Sequence, residues 1–318
     1  MKRTLAFTLA LITLATLPVY AGGEGSVLSP DEFVPEIMSE AYISEGNYAV
    51  AFMSTYDGEV WYSNEEEYFE VASVYKLPLN MYYCELENSG ELDPDSTVAG
   101  IPLSRCHLYS IENSNNPVSE AMYEQLGGYT AFKRLILPYT GYTEDELQPD
   151  YYNENAFTAR MVLNILRYAW DNQQDFSELI DHMLAAQPGE YLESGSFEGE
   201  IAQKYGYDSY DGVLHVAVAG IVYAGSPFLI AVLTRGSYAA VDAMGKLADA
   251  FAAWDEQRIA SLPEELPEET PEPEPEPELD IDAVRSFATQ MLVNACYAAP
   301  EPALLPWDEI INLVLASS

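Results

Sequence analysis

Residues 69–81 read Phe-Glu-Val-Ala-Ser-Val-Tyr-Lys-Leu-Pro-Leu-Asn-Met, and the four residues Ser73-Val74-Tyr75-Lys76 organise the reading of the whole chain. The stretch is apolar around one serine and one lysine and is predicted to open a helix. Three-residue spacing on a helix puts Ser73 and Lys76 on one face, one turn apart. A serine hydroxyl is a poor nucleophile until a neighbouring base takes its proton. A lysine becomes that base when burial and nearby cations disfavour its charged form. The helix N-terminus also directs amide donors at developing negative charge. The chain has only five lysines, and Lys76 sits among hydrophobics rather than in the acidic stretches.

Two further polar groupings lie downstream. Ser114-Asn115-Asn116 precedes Gly127-Gly128. A hydroxyl and an amide spaced i, i+2 on a loop can face one cavity, one relaying a proton and the other holding a carbonyl or a lysine. Lys204-Tyr205-Gly206 enters a C-terminal β-rich region. There a lysine attracts a carboxylate, and a glycine lets a ligand approach the backbone closely. Around these groupings, Tyr48–Ser54 and Glu59–Tyr62 are β-rich and flank Asp57-Gly58, a hairpin signal. Residues 73–190 have mainly helical periodicity. Val213–Val222 and Phe228–Thr234 read as two strands, and Tyr238–Arg258 as a last helix. Strands at both ends with helices between predict an α+β fold of the α/β sandwich type. Its antiparallel sheet is assembled from N- and C-terminal segments, with an inserted helical lobe.

In this order and spacing, Ser-x-x-Lys, Ser-x-Asn and Lys-x-Gly resemble the class A serine β-lactamases among the penicillin-recognising serine hydrolases. The stretches FEVASVYKLPL, SNNPVSEAMYEQLGGYTAF and KYG followed by AGIVYAGSPFLIAVLT carry the likeness, which covers residues 45–260. The resemblance implies that Ser73 is the acylated nucleophile and Lys76 its proton partner. Ser114 would pass a proton to the leaving nitrogen, Asn116 would bind the substrate amide, and Lys204 would lend positive charge. The backbone N–H groups of Ser73 and Tyr207, beside Gly206, would form the oxyanion hole. Glu144, in Glu144-Asp145-Glu146-Leu147-Gln148, would activate the deacylating water, with Gln148 in place of the family's asparagine. The expected substrate is a β-lactam or a peptidoglycan stem peptide, and the expected activity is hydrolysis of a cyclic amide with no cofactor. Runner-up readings are a D-alanyl-D-alanine carboxypeptidase or peptidoglycan-directed acyl transferase, and a non-catalytic cell-wall binding module on the same fold. Departures from the family are Tyr205 for Thr or Ser, Asn115 for Asp, and only 41 positions between Ser73 and Ser114. The family also suggests a Cys84–Cys106 disulfide.

The ends and the composition bound the remaining possibilities. Residues 1–21 read as an export signal: Lys2 and Arg3, the apolar run Leu5–Leu17, then Val19-Tyr20-Ala21 before Gly22. The expected location is therefore secreted or extracytoplasmic, with no integral membrane segment after cleavage. Residues 22–44 are an N-terminal lead-in, and 261–280 a linker. Within the linker, Pro263–Asp280 holds six prolines and nine acidic residues in eighteen positions, which predicts an extended spacer. Residues 281–318 are expected to form a short helical extension that docks on this domain or on a partner. The formal net charge of -39, with 52 Asp+Glu against 13 Lys+Arg, repels phosphate backbones and anionic lipids. The three cysteines and three histidines form no CxxC and no HExxH, so no metal site is expected.

Overall fold

The computed structural model describes residues 21–22 and 26–263. The expected export signal, most of the Pro/Glu linker and the C-terminal extension lie outside them. Helix α1 (Pro30–Glu40) comes first, entered through a capping box in which Ser29 and Glu32 satisfy each other's backbone amides. It occupies part of the segment expected to be a lead-in. Strands β1 (Tyr48–Ser54) and β2 (Val60–Ser63) form the hairpin that Asp57-Gly58 signals. Arg258 clamps that turn with two bonds to Asp57, 2.6 and 3.0 Å long.

Next come β3 (Phe69–Glu70) and a 3₁₀ turn over Ala72–Tyr75 that runs into α2 (Lys76–Ser89). The lobe continues with α3 (Leu103–Ile111), α4 (Asn116–Gln125) and α5 (Tyr129–Leu135). A short strand β4 (Ala156–Phe157), antiparallel to β3, leads into α6 (Ala159–Asp171) and α7 (Ser177–Leu184). The chain then returns to the sheet as β5 (Ile201–Tyr210), β6 (Val213–Val222) and β7 (Phe228–Arg235), and closes with α8 (Ala240–Ala260).

The main sheet has the order β2-β1-β7-β6-β5, antiparallel throughout, with the first and last segments of the domain meeting at the β1–β7 seam. The fold is thus the expected α+β sandwich. Side chains alternate across its faces with the two-residue period of a strand. Val50, Phe52, Val216, Val218, Ile230 and Val232 pack with Phe33 and Ile37 of α1 and with Met244 and Phe251 of α8. Ala49, Ala51, Ala217, Ala219 and Ala231 face the lobe instead. These small side chains let α6 approach with Val162, Ile165 and Leu166, all buried. No helix among the described residues is long and apolar enough to cross a membrane.

Strand β5 is the third strand of the C-terminal region, where the hydrophobic pattern indicates two. It is one edge of the sheet, and past Ile201-Ala202 every residue but Gly206 is polar or aromatic. An edge strand is paired on one side only, so it presents free backbone N–H and C=O groups and does not need the apolar run of a central strand.

Candidate active site

The site forms where the 3₁₀ turn, the α3–α4 connection and β5 meet. Gly206 lets the first and last of these touch. A Cβ there would lie 2.6 Å from the Val71 carbonyl oxygen, 2.8 Å from the Ser73 nitrogen and 3.0 Å from the Ala72 Cβ. Strand geometry then aims the neighbouring amide. The Tyr205 carbonyl accepts a 2.8 Å hydrogen bond from Lys204 Nζ, so it lies on the free edge of the sheet rather than on β6. On a strand the N–H and C=O of one residue point to the same edge, and residues two apart share that edge. The Tyr207 N–H therefore faces the same free edge, beside the Ser73 N–H.

Ala72 is held at φ +47°, a left-handed value costly for a residue with a Cβ. A clamp keeps it there. Its N–H donates to Glu70 Oε1 (3.1 Å), and Asn155 Nδ2 donates both to that oxygen (2.5 Å) and to the Ala72 carbonyl (2.8 Å). The clamp sets the direction in which Ser73 enters the cavity.

Lys76 and Lys204 are both 0% exposed. The Lys76 ammonium donates to the Ser114 carbonyl (2.6 Å), to Ser114 Oγ (3.2 Å) and to Asn116 Oδ1 (2.6 Å). Lys204 donates to the same Ser114 Oγ at 3.0 Å. Ser114 is itself left-handed at φ +50°. Asn115 caps α4 by accepting from the Val118 N–H. Burial lowers the Lys76 amine from its ordinary 10.5 to about 8. Burial, and then the charge of Lys76, push Lys204 well below the ordinary lysine value. Two amines sharing one hydroxyl in a desolvated site favour a single proton between them.

A cavity of about 620 Å³ opens over these groups, lined by Ser73, Ser114, Asn116 and four tyrosines, Tyr191, Tyr205, Tyr207 and Tyr238. Ser73 is half-buried in its wall, and its hydroxyl makes no hydrogen bond to Lys76. Catalytic hydrogen bonds are commonly longer without substrate than with it. Tyr205 points its hydroxyl at the Glu112 carbonyl (3.3 Å) and packs on Tyr191. It therefore does not stand in for the small hydroxyl expected at that position.

Of the residues predicted from sequence, Ser73, Lys76, Ser114, Asn116, Lys204, Gly206 and Tyr207 come together here. Glu144 does not. Thr143 and Glu146 close a capping box that winds residues 144–146 into an exposed 3₁₀ turn. The Glu144 carboxylate accepts from Tyr152 Oη at 3.2 Å, and it is not among the residues lining the Ser73 cavity. The carboxylate that does line it is Glu190, whose position no motif marks. The suggested disulfide is also absent: Cys84 and Cys106 are free thiols. Cys106 Sγ turns toward the Ile101 carbonyl, whereas Cys84 lies beside Glu87 and His107.

Residues 32–256 match the family model for the beta-lactamase enzyme family. Solved structures agree on the fold. A β-lactamase from Chitinophaga pinensis is 20% identical with a TM-score of 0.60, the match covering 71% of this chain and 98% of that one. A β-lactamase from Xanthomonas campestris is 15% identical with a TM-score of 0.59, again over 71% and 98%. The TLA-3 extended-spectrum β-lactamase is 16% identical with a TM-score of 0.58, over 72% and 99%. No curated protein matches the chain.

Proposed function

The chain belongs to the beta-lactamase enzyme family, class A-like in fold, and we propose that it is an exported acyl-transferring serine hydrolase in which Ser73 forms an acyl-enzyme with a β-lactam. The observation that supports this most is Ser114 Oγ, which receives hydrogen bonds from Lys76 and Lys204 together in the cavity that Ser73 lines. Neutral Lys76 takes the Ser73 proton as Oγ attacks the lactam carbonyl. The Ser73 and Tyr207 amides hold the oxyanion, and preorganised donors of this kind are each worth roughly 3 kcal/mol of barrier. The C–N bond breaks, Ser114 gives its proton to the leaving nitrogen, and the proton is replaced from the shared pair of lysines. Export is supported by the basic, apolar and small-residue order of residues 1–21.

Acylation is expected to increase with pH. Below the Lys76 value of about 8 the rate should fall about tenfold per pH unit, because only the neutral amine accepts the serine proton. Stopped-flow acylation by a fluorescent penicillin from pH 6 to 10, with intact mass locating one adduct on Ser73, tests the reading. A flat profile, or an adduct elsewhere, removes Lys76 or Ser73 from these roles. The same lowered value makes the folded chain bind fewer protons than the unfolded chain above about pH 8. This group's contribution to stability therefore rises with pH from there to the ordinary lysine range.

The exposed position of Glu144 favours, as a second reading, acyl transfer on peptidoglycan stem peptides, which needs no such glutamate. Glu144→Gln is accordingly expected to leave the rate of acyl release unchanged within about twofold. Accumulation of a trapped adduct in that variant, followed by mass over time, would return Glu144 to the mechanism.

A further inference from the structure

A second cavity, of about 470 Å³, opens on the other side of the Ser73 turn, beneath the far end of β5. Asp208 on β5, His215 on β6 and Arg235 on β7 stand in register across three strands and line it, together with Glu70 and Asn155 beyond the turn. Glu70, Glu154 and Asp208 bring three carboxylates to its wall against the Arg235 guanidinium, and Lys133, buried behind the wall on the Glu154 and Ala156 carbonyls, offsets Glu70 and Glu154 in part. The Arg235 guanidinium is already committed: it donates to the Gly46 carbonyl at 2.8 Å, to Asn47 Oδ1 at 3.1 Å and to Glu67 at 3.4 Å, and stacks over the Phe69 ring. His215 adds an unpartnered ring to the same wall. It is 8% exposed, and among the described residues its ring has no hydrogen-bond partner; its Nδ1 is a buried unpaired atom. Nδ1 is enclosed, so the nitrogen that a ligand in the cavity can meet is Nε2, which also has no partner among the described residues. Burial and then the Arg235 charge lower the His215 value, against the Asp208 carboxylate, which raises it. Burial also holds the Glu70 carboxyl up at about 7, a value that a bound cation would lower.

We infer that this cavity binds a primary ammonium group, held by the Asp208 and Glu70 carboxylates and the His215 ring, and that it receives the amine-bearing end of the substrate whose carbonyl Ser73 attacks. The second half of the inference rests on the Ser73 reading; the first does not. Strand geometry supplies the connection. Gly206, which touches the Ser73 amide, and Asp208 lie on the same face of β5, two residues or about 7 Å apart. An acyl side chain a few methylenes long, running along the strand from the oxyanion position, delivers its amine there.

The test uses the full chain and two probes. First, Nα-acetyl-lysine methylamide and its norleucine analogue are titrated while the ring resonances of the three histidines are followed by NMR. The expected result is a saturable shift confined to His215, with the lysine probe binding at least about tenfold tighter than the norleucine analogue and weakening about tenfold in Asp208→Asn. Asp208 is chosen because it is exposed and outside the Ala72 clamp, whereas Glu70 belongs to it. Second, two penicillins whose side chains are 6-aminohexanoyl and hexanoyl are compared by intact mass. The amino compound is expected to acylate Ser73 about tenfold faster, with that ratio falling close to one in Asp208→Asn. An unmoved His215, or equal response to both titrants, overturns the ammonium site. Equal acylation by both penicillins overturns its link to the substrate. If neither penicillin acylates the protein while His215 still responds, the serine reading fails and the ammonium site stands.

Discussion

Ser73→Ala should fold normally and yet take up no penicillin label. The loss expected in the acylation rate is at least about a thousandfold, since removing the nucleophile leaves only binding and the oxyanion donors. Ser73 is half-buried at the cavity wall and its hydroxyl makes no hydrogen bond among the described residues, so deletion of one oxygen strands no partner there. Changes of this kind stay within about 0.5 kcal/mol of the parent. Thermal melting and intact mass on the same sample separate the two effects. A Ser73→Ala protein that still carries the label on any residue would show that the reactive group lies elsewhere. Lys76→Met is the informative companion. It removes the proton acceptor but also releases Ser114 and Asn116, whose hydrogen bonds converge on that amine. It should therefore lose activity and stability together, where Ser73→Ala loses activity alone.

How much of this site is visible in the chain depends on the range of the interactions involved. Ser73 and Lys76 are legible because one helical turn relates them, and Ser114 and Asn116 because two residues of one loop do. Gly206 is legible as a residue, but its reason is not: the atoms it accommodates belong to Val71 and Ser73, more than 130 positions earlier. Glu144 shows the opposite failure. Its spacing matches the family pattern, but Thr143-Glu144-Asp145-Glu146 also spells a capping box, and that shorter-range interaction fixes an exposed turn. The same S/T-x-x-E signal at Ser29–Glu32 marks the start of α1, inside a segment expected to be a lead-in. Strand β5 is hidden because an edge strand that carries Lys204, Gly206 and Asp208 on one face lacks the alternation that reveals a strand. The cavity that faces His215 is hidden for a related reason. Its wall is a row across three strands, and cross-strand register is set by pairing between distant segments.

Gly206→Val is expected to produce the second large effect, by a route that leaves every catalytic side chain in place. A first side-chain carbon at position 206 would meet the Val71 carbonyl oxygen at 2.6 Å and the Ser73 nitrogen at 2.8 Å, both backbone atoms with no rotamer to change. The turn cannot simply recede. Ala72 is held at φ +47° by the hydrogen bonds of Glu70 and Asn155, and the clamp ties it to β4 through the Val71 N–H bond to the Asn155 carbonyl at 3.0 Å. The strand must therefore move outward, and the Tyr207 N–H moves with it away from the Ser73 N–H. Displacing one donor of an oxyanion hole costs roughly 10²–10³ in rate, whereas overpacking at a sheet edge costs only about 1–3 kcal/mol of stability. Acylation should consequently fall by two to three orders of magnitude while the protein stays folded and the pH midpoint set by Lys76 stays where it was. Gly206→Ala, with the same first carbon and no branches, should fall between the two. Wild-type acylation by Gly206→Val would mean that the two amides do not jointly hold the oxyanion. A shifted midpoint would mean that the substitution reached the lysine pair, so the rate and its pH profile measured together separate donor geometry from proton transfer.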